Sequence, residues 1–150
     1  MLFRSVKTAA FAAFVRLFTN TFGPAGGWGN VVWVMAALTL LSGNITAVFQ
    51  KSTKRMLAYS GVAHAGYMLL ALLAANEYSS SSVFFYAAAY SVASLSMFCV
   101  LQIVVSALGN DTVNAFAGLA KRNKSLAFAA TVALLSLAGI PPTTGFFAKY

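Results

Sequence analysis

Long apolar runs constrain this chain more than any other feature. Five can be read: about Leu2–Phe18, Val31–Phe49, Met56–Ala75, Val83–Leu108, and Ser125 to the end, the last interrupted by Gly139-Ile140-Pro141-Pro142. A helix of about 20 residues crosses the roughly 30 Å hydrocarbon core of a bilayer, so each run has the length of one crossing. Barrel strands alternate apolar and polar residues over about ten positions, and these runs do not alternate. The expected fold class is an all-α polytopic membrane protein with about five transmembrane helices, the last broken at Pro141-Pro142.

Composition points the same way. Of 150 residues, 60% are hydrophobic and 8% are charged. A soluble domain carries about 25% charged residues, so too little charge is present here to cover a soluble globule. That excludes a soluble enzyme and a disordered chain. Cys99 is the single cysteine, which excludes an internal disulfide and a cysteine-cluster metal site. Met1–Phe18 has Lys7 and Arg16 inside its apolar run, unlike a cleavable signal peptide. Both ends break off in apolar sequence, so residues 1–150 are expected to be one partial membrane domain cut from something longer.

The net charge of +8 comes from ten Lys and Arg against two acids, Glu77 and Asp111. On a soluble domain such an excess would suggest nucleic acid. Here the cations flank the apolar runs, so the bilayer is the expected partner and nucleic acid is not. The second connection carries Lys51, Lys54 and Arg55, and the fourth carries Lys121, Arg122 and Lys124. The first and third, Thr19–Asn30 and Asn76–Ser82, carry no Lys or Arg. This alternation is what five successive crossings require. It predicts that loops 50–55 and 109–124 face the cytoplasm and that the first segment runs from inside to outside.

Few polar residues remain at membrane depth. With Arg16 at the outer interface, Lys7 lies nine residues inward, about 13.5 Å, close to the midplane. There it needs a partner or water. With Met1 at the inner surface, it instead snorkels to the headgroups. Lys149 follows the Pro-Pro break. Irregular backbone at membrane depth is tolerated only inside protein or along water, a common setting for an ion path. Counted at helical rise from Lys124, Lys149 is alternatively an outer-interface residue. Tyr86, Tyr90 and Ser94 recur at every fourth position and, with Ser91, form a polar stripe. Such a stripe holds a water chain or bonds between helices. His64 suits proton transfer near neutral pH, or is a structural histidine between helices. No P-loop, dinucleotide-binding or metal-ligand pattern is present, and no metal site is expected.

Two separated stretches carry a resemblance. The first comprises Ser42-Gly43-Asn44-Ile45-Thr46-Ala47 to Gln50, then Lys54-Arg55-Met56-Leu57-Ala58-Tyr59-Ser60 and His64-Ala65-Gly66-Tyr67. The second is Leu134-Leu135-Ser136-Leu137-Ala138-Gly139-Ile140-Pro141-Pro142-Thr143 with Gly145-Phe146-Phe147-Ala148-Lys149. Together they resemble the antiporter-like membrane subunits of respiratory complex I, most closely the subunit N family of the bacterial NADH–quinone oxidoreductase, the counterpart of mitochondrial subunit 2.

The resemblance covers all 150 residues but about a third of a family member. It implies part of an antiporter-like helix bundle, roughly its eighth to twelfth helices. It implies a chain in the bacterial inner membrane, partnered by the other membrane subunits of the complex. It also implies proton translocation coupled to electron transfer from NADH through FMN and iron–sulfur clusters to quinone, with none of these cofactors bound by this chain. Lys7 matches the family's mid-membrane lysine of the eighth helix, and Lys149 the lysine at the broken twelfth. These two are the expected proton relay, with Tyr86, Tyr90, Ser94 and His64 as the supporting polar path. A multi-subunit cation/proton antiporter or membrane-bound hydrogenase subunit shares the ancestral motif, and a non-transporting structural fragment is the alternative from another class. The family's first-half acidic residue and lysine have no counterpart here.

Overall fold

The computed structural model describes residues 2–17, 27–73 and 79–149. Its elements are α1 (Leu2–Leu17), α2 (Trp28–Val48), α3 (Thr53–Leu73), α4 (Ser79–Leu108), a 3-10 turn (Val113–Phe116), α5 (Leu119–Arg122), α6 (Lys124–Ala138) and α7 (Thr144–Lys149). The five apolar runs thus become α1, α2, α3, α4 and the broken pair α6–α7. Among the described residues, three helices are long and apolar enough to cross a membrane: Trp28–Val48, Thr53–Leu73 and Ser81–Leu108. α6 is shorter, because its C-terminus is forced where it stands. Gly139 is left-handed at φ 79°, and its N–H bonds back to Leu135 O and Ser136 O. Ile140 N also donates to Leu135 O at 3.1 Å, closing the C-cap, and the prolines that follow cannot extend the helix.

The hydroxyls of α2 are satisfied without leaving the helix. Thr39, Ser42 and Thr46 donate to the carbonyls of Met35, Leu38 and Ser42 one turn back, at 2.6, 2.7 and 2.6 Å. Such hydroxyls cost nothing extra in lipid, where an unbonded polar group would be expensive. The outward residues Trp33, Leu38, Leu41 and Ile45 are exposed, as a face meeting lipid or further helices should be.

The two strongest packings differ in kind. α2 meets α3 through small residues, Gly43 lying directly against Ala63. α4 meets α6 through Met97, Val100, Leu101 and Val104 against Ala130 and Ala133, with Leu57 of α3 at the edge. A second cluster joins Met68, Tyr86 and Ala87, with Phe11 of α1 and Tyr90 packed on it.

The basic loops meet at one end of this bundle. Ser52 and Thr112 form an isolated antiparallel bridge. Thr53 N donates to Asp111 O at 2.8 Å, and Val113 N to Lys51 O at 3.2 Å. Ser52 Oγ donates to Asp111 Oδ2 at 2.6 Å. All six loop cations therefore belong to one end, as the charge alternation requires. The stretch 109–124 expected as a plain loop is structured. Gly118, left-handed at φ 74°, starts α5, and Asn123 Oδ1 caps α6 by accepting from Leu126 N. Most of the first and third connections, with Glu77, lies outside the described residues.

Candidate functional site

Polar groups inside the bundle gather where α3, α4 and the α6–α7 break meet. His64 lies eleven residues into α3, about 16 Å from its start and half-way through a 30 Å core. It is 6% exposed, and Tyr86 of α4 is 5% exposed. His64 Nδ1 and Tyr86 Oη are 2.6 Å apart, a short hydrogen bond between buried side chains. Tyr90, one turn further along α4, sets its ring 4.6 Å from the imidazole, and Tyr67 sets its ring 6.3 Å away.

The direction of the His64–Tyr86 bond depends on the state of the imidazole. A neutral ring with a bare Nδ1 accepts the Tyr86 hydroxyl proton. An imidazolium donates from both nitrogens, so Tyr86 must accept, and its own proton must turn to another partner. Protonation of His64 is thus tied to the orientation of the Tyr86 hydroxyl. The Tyr90 ring is near enough to stabilise a cation on His64 through its π face.

A void of about 10 Å3 lies beyond this pair, bordered by His64, Tyr86, Tyr90, Ser136 and Gly145 among others. That is at the lower limit for a single water. Its far wall is the helix break. Gly145 of α7 lies so close to α6 that a Cβ there would sit 1.7 Å from the Ser136 carbonyl oxygen. Only glycine lets the backbone fold back this tightly. Ser136 Oγ and Thr144 Oγ1 approach to 3.4 Å across the same break.

His64, Tyr86 and Tyr90 are therefore brought together. Ser94 is buried at 3% but stands one turn beyond Tyr90, and its Oγ donates to Ser91 O at 3.1 Å. Ser91 Oγ in turn donates to Ala87 O at 2.7 Å. Both serine protons are held by their own helix. The side chains of Lys7 and Lys149 lie outside the described residues. Their helices do border the cluster. Phe11, four residues beyond Lys7 in α1, packs on the Tyr86 group, and Gly145, four residues before Lys149 in α7, borders the void. Among the described residues no group of His, Cys, Asp and Glu could hold a metal ion.

The motif reading did not single out Asn44, Ser60 and Tyr67 as cavity residues. With Met56, Leu57, Ala63, His64, Leu134, Leu137 and Ala138 they border a cavity of about 380 Å3. A signal was present: Met56, Ser60, His64 and Tyr67 are spaced four, four and three residues apart, one face of a helix.

This buried His–Tyr pair beside a helix broken at a glycine-proline turn coincides with a family match along the entire chain. Residues 1–150 match the family described as NADH:quinone oxidoreductase/Mrp antiporter, transmembrane. The chain belongs to this antiporter family. Among its relatives, NADH-quinone oxidoreductase subunit N of Heliobacterium modesticaldum is 44% identical over 145 residues, covering 95% of this chain and 31% of the relative. Subunit N of Cytophaga hutchinsonii is 41% identical over 146 residues, covering 97% and 32%. Subunit N 1 of Sorangium cellulosum is 44% identical over 156 residues, covering 97% and 30%. The resemblance to subunit N carried by the two motifs is thus borne out, and this antiporter-family chain spans about a third of the length of the curated relatives it matches.

Proposed function

We propose that the chain is part of a proton-translocating subunit N of a bacterial NADH–quinone oxidoreductase. It sits in the inner membrane with loops 50–55 and 109–124 on the cytoplasmic side and other membrane subunits of the complex as neighbours. In that complex electrons pass from NADH through FMN and iron–sulfur clusters to quinone. We assign those groups to the rest of the complex and proton movement to this chain.

The single observation that carries the reading is the 2.6 Å hydrogen bond between buried His64 and Tyr86. It lies between the helix that bears Lys7 and the broken helix that bears Lys149. A titratable ring at mid-membrane is costly and marks an ion path by default. Lys7 holds or releases a proton according to the charge around it. His64 and the Tyr86–Tyr90 pair pass the change along, water fills the steps between them, and Lys149 is the donor towards the outer side. Charges in a low-dielectric interior interact strongly, so each occupied position biases the next.

The test uses the full-length subunit in the assembled complex. Lys7→Ala and Lys149→Ala are expected to lower NADH-driven acidification of vesicles severalfold while the complex still assembles and still oxidises NADH with an artificial acceptor. Unchanged pumping in both variants overturns the reading and favours a structural fragment. The family description also names Mrp antiporters. Sodium-dependent exchange without any response to NADH would move the chain to that branch.

A further inference from the structure

Six cations meet at the basic-loop end of the bundle, with one acid to answer them. Lys51, Lys54, Arg55, Lys121, Arg122 and Lys124 are all exposed, and Asp111 is the only acid among the described residues. Packing holds the two groups side by side. Leu57, three residues after Lys54, belongs to the cluster on which Leu126, two residues after Lys124, packs. The starts of α3 and α6 are therefore neighbours, but they are not equally served. The Asp111 carboxylate accepts from Ser52 Oγ beside the start of α3. The start of α6 has no acid in its first turn and opens on Lys124, with Lys121 and Arg122 just before it. A helix N-terminus carries partial positive charge, so these three cations stand where cations are least favoured. The rule for loop charge explains their side of the membrane. It does not supply the anion that balances them.

The face of α6 below Lys124 narrows the kind of anion. Lys124, Phe128, Val132 and Leu135 are spaced four, four and three residues apart and share one side of the helix. The three apolar members are 72, 43 and 36% exposed. Ala130 and Ala133, on the opposite side, carry the packing against α4. Leu135 lies eleven residues from Lys124, about 16 Å deeper, and half of a roughly 30 Å core is about 15 Å. The stripe is thus one leaflet long, with its charge at the headgroup end. Thr131, on the same side, donates to Ala127 O at 2.8 Å, so this face asks no hydrogen bond of a neighbouring helix.

We propose that the outward face of α6 is a docking site for an anionic membrane phospholipid. Its phosphodiester is held by Lys121, Arg122 and Lys124, and an acyl chain lies along Phe128, Val132 and Leu135. The phosphate brings the negative charge that the start of α6 lacks. A phospholipid joins charge and apolar chain in one molecule, as the stripe does. An acidic soluble protein would answer only the cations, and an apolar transmembrane helix only the stripe. The site needs a membrane-spanning chain and is independent of proton translocation.

Photo-cross-linking tests the site in vesicles containing the full-length subunit in its complex. The probes are phosphatidylglycerol and phosphatidylcholine carrying the same diazirine-bearing acyl chain at equal mole fraction. Mass spectrometry reads the labelling of residues 128–135. One cation near a membrane surface favours an anionic lipid by roughly fivefold. Phosphatidylglycerol is therefore expected to label this stretch at least about fivefold more than phosphatidylcholine at about 0.1 M salt. At about 1 M salt, where the Debye length is about 3 Å, the preference should fall below about twofold. Arg122→Gln with Lys124→Gln should lower phosphatidylglycerol labelling at least about fivefold and leave phosphatidylcholine labelling unchanged. Four of the six loop cations remain in that variant to fix its insertion. Equal labelling by both lipids in the unaltered complex overturns the site and leaves ordinary boundary lipid. Labelling by neither, while exposed Val48 and Phe49 of the α2 end are labelled, also overturns it and puts a neighbouring subunit on this face. A preference for phosphatidylglycerol that survives intact in the double variant overturns the assignment of the phosphate to these cations.

Discussion

The two neighbours of α3 treat it in opposite ways. Against α2, backbone meets backbone: a Cβ on Gly43 would lie 2.7 Å from Ala63 N. Against α6, longer side chains stand apart and leave about 380 Å3 edged by Ser60, His64 and Tyr67. One helix thus forms a dry seam on one side and a polar gap on the next. Helices in a bilayer gain no hydrophobic drive from meeting each other, so they associate by close van der Waals packing of small residues. The seam supplies that packing. It allows the gap to remain open, because α3 is already anchored when it faces α6.

The largest expected effect lies in the seam. Gly43→Val would force two branched carbons against the Ala63 backbone, which cannot rotate away. We expect a loss of about 3 kcal/mol, at the upper end of overpacking costs, read as a fall in thermal stability and membrane abundance of the full-length subunit. Ser60→Ala, on the gap, should shift stability by under about 0.5 kcal/mol. Equal losses at the two positions would break the distinction.

Next comes the buried His64–Tyr86 pair. Tyr86→Phe keeps the ring and removes the partner of His64 Nδ1. A buried group left unpaired costs about 1–3 kcal/mol, unless water takes the place of the hydroxyl. We expect pumping to fall about tenfold, the equivalent of about 1.4 kcal/mol, with the subunit still present in the membrane. Normal pumping in Tyr86→Phe would detach the hydrogen bond from the function.

Gly66→Ala is milder than a change at Gly43. Its added Cβ would meet Leu40 Cγ at 2.7 Å, a side chain able to change rotamer, with Leu40 N at 3.2 Å. A loss of about 1–2 kcal/mol in thermal unfolding is expected, in the lower part of the usual range for overpacking, because Leu40 can move its Cγ only by turning χ1. A loss as large as that of Gly43→Val would show that the whole seam, and not one contact, is rigid.

How much of this was legible in the sequence depends on what kind of force fixes each part. Helices and the gathering of both basic loops at one end of the bundle were legible, because run length and loop charge act locally and additively. The break was legible at Pro141-Pro142, although the residue that ends α6 is Gly139. The pairing of His64 with Tyr86 was not, since the two lie on different helices and their contact depends on how α3 and α4 rotate against each other. Periodicity placed Tyr86, Tyr90 and Ser94 on one stripe, yet Ser94 spends its proton on Ser91 O. A stripe shows which residues share a face and leaves open which neighbour each hydroxyl chooses. The cavity was written in the Met56-Ser60-His64-Tyr67 spacing, but small and polar residues along α3 read equally well as packing.

The smallest effect is expected at the basic-loop junction, where the sequence marked Asp111 only as one of two acids. The carboxylate accepts from Ser52 Oγ at 2.6 Å, and Ser52 O receives Met56 N at 3.0 Å in the first turn of α3. Asp111 therefore places a negative charge at the N-terminus of α3, where the helix dipole favours it by about 0.3–1 kcal/mol. Asp111→Asn keeps an oxygen for Ser52 and removes only the charge. Exposed Lys51, Lys54 and Arg55 nearby add attraction that salt screens, with a Debye length of about 10 Å at 0.1 M and about 3 Å at 1 M. The expected loss is about 0.5 kcal/mol in thermal unfolding at low salt, shrinking towards zero at 1 M, with pumping unchanged. Asp111→Ala also removes the acceptor, and should cost about 1 kcal/mol more at any salt concentration. A salt-independent loss in Asp111→Asn would mean that the junction depends on a hydrogen-bond geometry only the carboxylate can provide.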